Sequence, residues 1–128
     1  MDNSPSGAAV KRILVVEDEP GYQERLRAIL PKTHDLTICS SVEEAREKIG
    51  AERFDLVISD LNLFGMSGFE IINIIKQAGL SETCPVIICS CMNDSETRQR
   101  AMDAGASGFI PKPFNIEMVL PTVSALLK

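Results

Sequence analysis

Short runs of consecutive apolar residues alternate along this chain with longer stretches in which apolar residues return at helical spacing. The first run, Arg12-Ile13-Leu14-Val15-Val16, reads as a buried strand and ends in Glu17-Asp18. Tyr22, Leu26, Ile29 and Leu30 then share one helix face, and Pro31 marks the stop. Leu36-Thr37-Ile38-Cys39 is a short second strand. Ser41 is placed to cap the next helix, with Glu43 and Glu44 favoured by the dipole of its first turn. Val42, Ala45 and Ile49 lie on one face of that helix, and Gly50 is expected to end it. Phe54-Asp55-Leu56-Val57-Ile58-Ser59 is a third strand that stops at Asp60, before a mobile-looking stretch Leu61-Asn62-Leu63-Phe64-Gly65. A helix from Gly68 to Ala78 turns Phe69, Ile72 and Ile75 inward and stops at Gly79. Pro85 opens a fourth strand that reaches Ser90, since proline is tolerated at a first strand position. Asp94 or Ser95 caps a polar helix ending at Gly105, Ser107 to Ile110 is a brief fifth strand, and Asn115 caps a last helix to Lys128.

Five strand–helix units with nearly uninterrupted apolar strands predict an α/β fold, a five-stranded parallel sheet covered on both faces by five helices. Right-handed crossovers leave few topologies, and the doubly wound, flavodoxin-like order 2-1-3-4-5 suits five units best. In that order the first and third strands are neighbours, and ligands bind at the carboxyl ends of the strands where the winding reverses. Glu17, Asp18 and Asp60 all fall there.

The chain has 128 residues, enough for one domain with a core, expected over residues 11–128 behind a polar, frayed tail over 1–10. A net charge of -5 argues against a general nucleic-acid surface, which needs clustered Lys and Arg. No apolar run approaches the ~20 residues of a membrane helix, and the start has no signal-peptide core. Cys39, Cys84, Cys89 and Cys91 lack zinc-site spacing and read as reduced thiols of a cytoplasmic protein. His34, the single histidine, reads as a solvated loop residue.

The chemistry lies at the strand ends. One carboxylate at a loop start would merely face solvent. Three on adjacent strands (Glu17, Asp18 and Asp60) repel one another and instead suit a hard cation. Mg²⁺ fits one or two carboxylates, a backbone carbonyl, waters and a phosphate oxygen, and Asn62 is the candidate carbonyl donor. An aspartate beside such a metal can accept a phosphoryl group as an acyl phosphate. The Ser90 hydroxyl and the Lys112 ammonium, each at a strand end, would then share the phosphoryl charge.

Together these stretches resemble the receiver domain of two-component response regulators, from about Lys11 to Lys128. The matching segments are Ile13-Leu14-Val15-Val16-Glu17-Asp18-Glu19, Asp60 with Gly65-Met66-Ser67-Gly68, Pro85-Val86-Ile87 leading to Ser90, and Gly105-Ala106 through Phe109 to Lys112-Pro113-Phe114. The resemblance implies that Asp60 takes a phosphoryl group from a phosphohistidine on a partner histidine kinase or phosphotransfer protein. It implies Mg²⁺ on Glu17 and Asp18, phosphoryl contacts from Ser90 and Lys112, a cis Lys112-Pro113 peptide, and Phe109 as an aromatic that swings inward on activation. A core role for Phe109 is the plainer alternative. The expected role is signalling rather than enzymatic, with at most self-catalysed phosphorylation and dephosphorylation. Its output would be a switched surface of the fourth helix, fifth strand and last helix, used for a homodimer or an effector, with no direct nucleic-acid or membrane binding.

Several positions depart from the family's usual pattern. The acid pair is Glu-Asp, Cys91 follows Ser90 where a small residue is usual, and Pro121 lies well inside the last helix. A haloacid-dehalogenase-type phosphatase would need a second aspartate where Asn62 stands. A flavodoxin-type electron carrier would need a Ser/Thr/Gly-rich loop in place of Glu17-Asp18-Glu19. A receiver-like binding module that no longer uses phosphate remains the other rival. Ending at Lys128, the chain is either a stand-alone receiver or the first domain of a longer regulator.

Overall fold

A computed structural model of the chain describes residues 10–63, 66–92 and 94–127. Residues 1–9 of the expected tail, Phe64 and Gly65, and Lys128 therefore lie outside the described residues. The elements run β1 (Arg12–Val16), α1 (Pro20–Ile29), β2 (Asp35–Cys39), α2 (Val42–Ala51) and β3 (Leu56–Asp60). A small pair, β4 (Asn62–Leu63) and β5 (Met66–Ser67), precedes α3 (Phe69–Gln77), β6 (Val86–Ser90), α4 (Ser95–Ala104), β7 (Gly108–Pro111) and α5 (Ile116–Leu126).

The main sheet has the order β2-β1-β3-β6-β7, all parallel, which is the expected 2-1-3-4-5 winding once the small hairpin is set aside. Strand alternation divides the core into two layers. Leu14, Val16, Val57 and Ile88 face one layer, shared with Val42, Ala45 and Ile49 of α2 and with α3. Ile13, Val15, Leu56, Ile58 and Ile87 face the other, under Leu26 of α1 and Val119 and Val123 of α5. The three central strands are buried from end to end or nearly so, as a sheet covered on both faces requires.

Local signals explain most helix limits. The Ser41 side chain accepts the Glu44 N–H at 3.1 Å, and Asn115 accepts the Met118 N–H at 3.1 Å, caps worth about 1 kcal/mol each. Gly105 closes α4 with φ +117°, and Gly79 follows α3 at φ +74°. Asp94 takes the N-cap position of α4, but its side chain makes no cap hydrogen bond.

Some expectations needed correction. Gly50 does not end α2; the helix continues to Ala51, and Glu52 leaves it in an extended conformation. On α3, Ile72 and Ile75 face inward as expected and Phe69, half-buried, packs against the same core, but Ile71 and Ile74 are buried as well. The sheet, with which α3 shares a core cluster, and α2 beside it explain why this helix buries more than one stripe. In the segment after Asp60, the described Asn62 and Leu63 are paired, with Ser67 and Met66, in an antiparallel ladder. His34 is half-buried, and its Nδ1 accepts the Lys11 N–H at 3.2 Å, tying the start of β1 to that of β2. Pro121 lies inside α5 as expected, and that helix ends at Leu126.

Candidate functional site

The carboxyl ends of β1, β3, β6 and β7 converge on one edge of the sheet. Glu17 follows β1 directly, its N–H donating to Cys39 O at 3.0 Å, so the chain is still in register when the acid appears. The Gln23 side-chain amide, from the first turns of α1, donates to Glu17 O at 2.6 Å and holds the turn. Glu17 Oε2 accepts the Glu19 N–H at 3.1 Å, and the side chain is 2 % exposed. Asp18 is half-exposed beside it.

Asp60 ends β3, buried, with Oδ1 facing the Asn62 N–H at 3.4 Å. Glycine is required nearby: a Cβ on Gly68 would lie 2.1 Å from Asp60 O, and the Gly68 N–H donates to Leu61 O at 2.6 Å. The hairpin is thus closed against the backbone that carries Asp60.

Ser90 ends β6 and is buried, its Oγ accepting the Met92 N–H at 3.0 Å. The Lys112 N–H donates to Ser90 O at 2.9 Å, and the Lys112–Pro113 peptide is cis. From there the lysine side chain runs under the acids. Its Nζ stands 2.7 Å from Glu17 Oε1 and 3.2 Å from Asp60 Oδ2. The ammonium also lies 4.1 Å from the centre of the Tyr22 ring.

Buried charge has consequences for protonation. Burial raises the Glu17 carboxyl above the ordinary range, and the neighbouring Asp60 charge adds to the rise, while the Lys112 hydrogen bond opposes it. Burial pulls the Lys112 ammonium down, but Glu17 and then Asp60 outweigh it and hold the group above the ordinary lysine range. The lysine is therefore charged at neutral pH, locked between two acids.

Glu17, Asp18 and Asp60 each offer a carboxylate oxygen, and the three atoms lie within 4.8 Å of one another. Three hard oxygen donors of this kind are a donor set for a divalent cation such as Mg²⁺, and nothing in it is soft enough to prefer zinc or copper. Phe109, on β7, is half-buried against the α3-side core and lies under the Arg98 guanidinium, 5.1 Å from the ring centre. All five strand-end residues singled out from sequence thus share one edge, with Phe109 on the strand that carries Lys112.

Comparison with known proteins decides the family, since the family model for the response regulator receiver domain matches residues 13–124. This chain belongs to the response regulator receiver domain family. The receiver domain is 32 % identical over 118 residues to the regulatory protein VanRB of Enterococcus faecalis, covering 91 % of this chain and 52 % of that protein. Response regulator ArlR of Staphylococcus saprophyticus is likewise 32 % identical, with 91 % and 52 % covered. The receiver domain therefore spans about half the length of the curated relatives it matches. Among solved structures, chemotaxis response regulator CheY4 of Vibrio cholerae superposes with a TM-score of 0.85 at 27 % identity, covering 93 % of this chain and 100 % of that one. A BeF3-activated DrrB receiver domain gives 0.83 at 27 % identity, with 93 % and 98 % covered.

Receiver domains are signalling modules, and this one has a five-stranded parallel sheet with acidic residues at one edge. Among the described residues no helix is long and apolar enough to cross a membrane. Three residues of the edge were not singled out for it from sequence: Tyr22 over Lys112, Gln23 on the Glu17 turn and Gly68 against Asp60. Tyr22 read only as one position of a helix face. No linear signal could announce its contact with a lysine far along the chain.

Proposed function

We propose that Asp60 is the phosphoacceptor and takes its phosphoryl group from a phosphohistidine of a partner histidine kinase or phosphotransfer protein. An Asp60 carboxylate oxygen attacks phosphorus, the phosphorus–nitrogen bond breaks, and its electron pair returns to the imidazole, which is reprotonated from solvent. The product is an aspartyl phosphate and a free histidine. The observation that carries this reading is the Lys112 ammonium bridging Asp60 and Glu17 at 3.2 and 2.7 Å. A buried cation held within reach of the acceptor oxygen is what phosphoryl transfer asks of a site.

Glu17, Asp18, Asp60 and the Asn62 carbonyl would hold Mg²⁺. The ion would supply positive charge against the phosphoryl oxygens. Lys112 keeps its ammonium at the acceptor and turns it to a phosphoryl oxygen once the group is in place. Ser90, whose Oγ now accepts from the Met92 N–H, can rotate to donate its hydroxyl proton to another. That shift moves the segment after β6 and opens room for Phe109, altering the face made by α4, β7 and α5. Only Thr97 and Ala101 of α4 are buried, so the helix can shift at small cost. A homodimer partner or an effector would read that face. The role is that of a phosphoacceptor that catalyses at most its own phosphorylation and dephosphorylation. Four free thiols suit a cytoplasmic setting.

The test is intact mass after incubation with Mg²⁺ and acetyl phosphate. One phosphate should be added to the native chain, none to Asp60→Asn, and none without divalent metal. Equal labelling of Asp60→Asn would move the acceptor elsewhere, and no labelling of the native chain would favour a receiver-like binding module.

A further inference from the structure

Beyond the acids, the Lys112 ammonium also meets a group that is not an anion. The Tyr22 ring, on α1, covers it at 4.1 Å from Nζ to the ring centre. The ring is itself braced: Phe114, 1 % exposed, lies against it with centroids 5.4 Å apart and planes tilted by 49°. So α1 and the segment between β7 and α5 together set one aromatic face over one ammonium.

We propose that Tyr22 is the positioning residue for Lys112, its ring face holding the ammonium between Glu17 and Asp60 so that it meets the incoming phosphoryl group already in place. A lysine stem carries four rotatable bonds and a large rotamer entropy. Two carboxylates attract the ammonium but do not limit its direction, because each offers several lone pairs. The ring does limit it. It stands where water would otherwise solvate Nζ, and a cation–π contact with a desolvated ammonium strengthens as water is excluded. Lys112 is accordingly only 7 % exposed although it ends in a charge. When the phosphoryl group arrives, the ammonium has a short turn to make from Asp60 and no solvated rotamer to leave. The effect belongs to the transfer step rather than to donor binding, since Tyr22 meets Lys112 and not the donor.

This inference rests on Asp60 being the acceptor, and the experiment separates the two. Fluorinated phenylalanines placed at position 22 weaken the negative ring face stepwise while nearly keeping its size. Tyr22→Phe removes only the hydroxyl, and Tyr22→Leu removes the ring. Phosphate incorporation is followed against acetyl phosphate concentration with Mg²⁺, and the Lys112 ε-methylene NMR shift is read in metal-free protein. Tyr22→Phe should stay within about two-fold of native, while Tyr22→Leu should transfer about three- to ten-fold more slowly with its half-saturation nearly unchanged. The fluorinated series should fall stepwise between them. The upfield ring-current shift of the Lys112 ε-methylene should persist in Tyr22→Phe and vanish in Tyr22→Leu. A flat fluorinated series, or Tyr22→Phe as slow as Tyr22→Leu, overturns the proposal, and the series decides it even if the leucine variant does not fold. If Asp60→Asn is phosphorylated as fast as native, the acceptor reading has failed. If it is silent while the fluorinated series is flat, only Tyr22 has been misassigned.

Discussion

The Arg98 guanidinium lies over the face of Phe109, 5.1 Å from the ring centre, and so ties α4 to β7. Arg100 does the same on the other side of the helix with Phe69 of α3, at 5.8 Å. Between these two contacts α4 buries little of its own surface. Its docking therefore depends on groups that can be exchanged singly. Arg98→Ala should loosen α4 by about 0.5–1 kcal/mol and speed amide exchange over residues 95–104, with β1 and α2 unchanged. On beryllofluoride binding, exchange in the native chain should change mainly between Ser90 and Phe114. Identical exchange in Arg98→Ala would show that the guanidinium contributes nothing to holding the helix.

Lys112→Met tests the opposite end of β7. Removing the ammonium leaves Glu17 and Asp60 facing each other without a cation, so the metal-free protein should melt at lower temperature near neutral pH. A divalent ion no longer competes with the ammonium, and Mg²⁺ should bind on the order of ten-fold tighter and restore much of the lost melting temperature. Titration calorimetry and thermal melts check both. Weaker Mg²⁺ binding would mean that Lys112 holds the acidic edge together.

Gly68→Ala should be among the most damaging single-methyl changes in the chain. Its φ of -62° is open to any residue, so the cost is purely one of space. The added Cβ would meet the Asp60 carbonyl oxygen at 2.1 Å, and the Gly68 N–H bond to Leu61 O would have to open. A loss of about 1–3 kcal/mol in denaturant melts is expected, together with slower phosphorylation because the clash pushes on the backbone of Asp60. An unchanged melting curve would show that the hairpin yields without strain.

The buried thiols predict an alkaline limit to stability. Burial pushes Cys39 and Cys89 up to about 12 and Cys84 up to about 11, from 9.0 in the unfolded chain. Raised folded values mean that the stabilising contribution is complete below pH 9 and is lost as pH climbs through that window. Each such thiol adds a downward slope of up to about 1.4 kcal/mol per pH unit. Cys89→Ala should show a shallower alkaline slope than native in urea melts between pH 9 and 12. At pH 8 a thiol reagent should reach the exposed Cys91 long before the other three. Parallel slopes for the two proteins would mean that Cys89 ionises in the folded state as readily as in the unfolded one.

By itself the sequence determined the winding of the sheet and which strand ends carry chemistry. Runs such as Leu14 to Val16 and Val86 to Cys89, short, rich in β-branched residues and set between turn signals, read as strands buried on both faces, and crossover handedness does the rest. Ser41 and Asn115 were readable as caps because a cap acts within three residues. Glu17, Asp18, Asp60, Ser90 and Lys112 were readable because each lies where a strand stops, and strand ends of a parallel sheet share an edge. Tertiary structure alone decided what lies between them. Glu17 and Asp18 are adjacent in sequence, yet Glu17 is buried against the lysine while Asp18 is half-exposed. The Tyr22 ring over Lys112, the Gln23 amide on the Glu17 turn and the space that demands Gly68 depend on how α1 and the hairpin dock. Periodicity records which face of a helix is buried. It does not record which side chain of another element that face will meet, because the contact is set by helix placement over the sheet and not by neighbours along the chain.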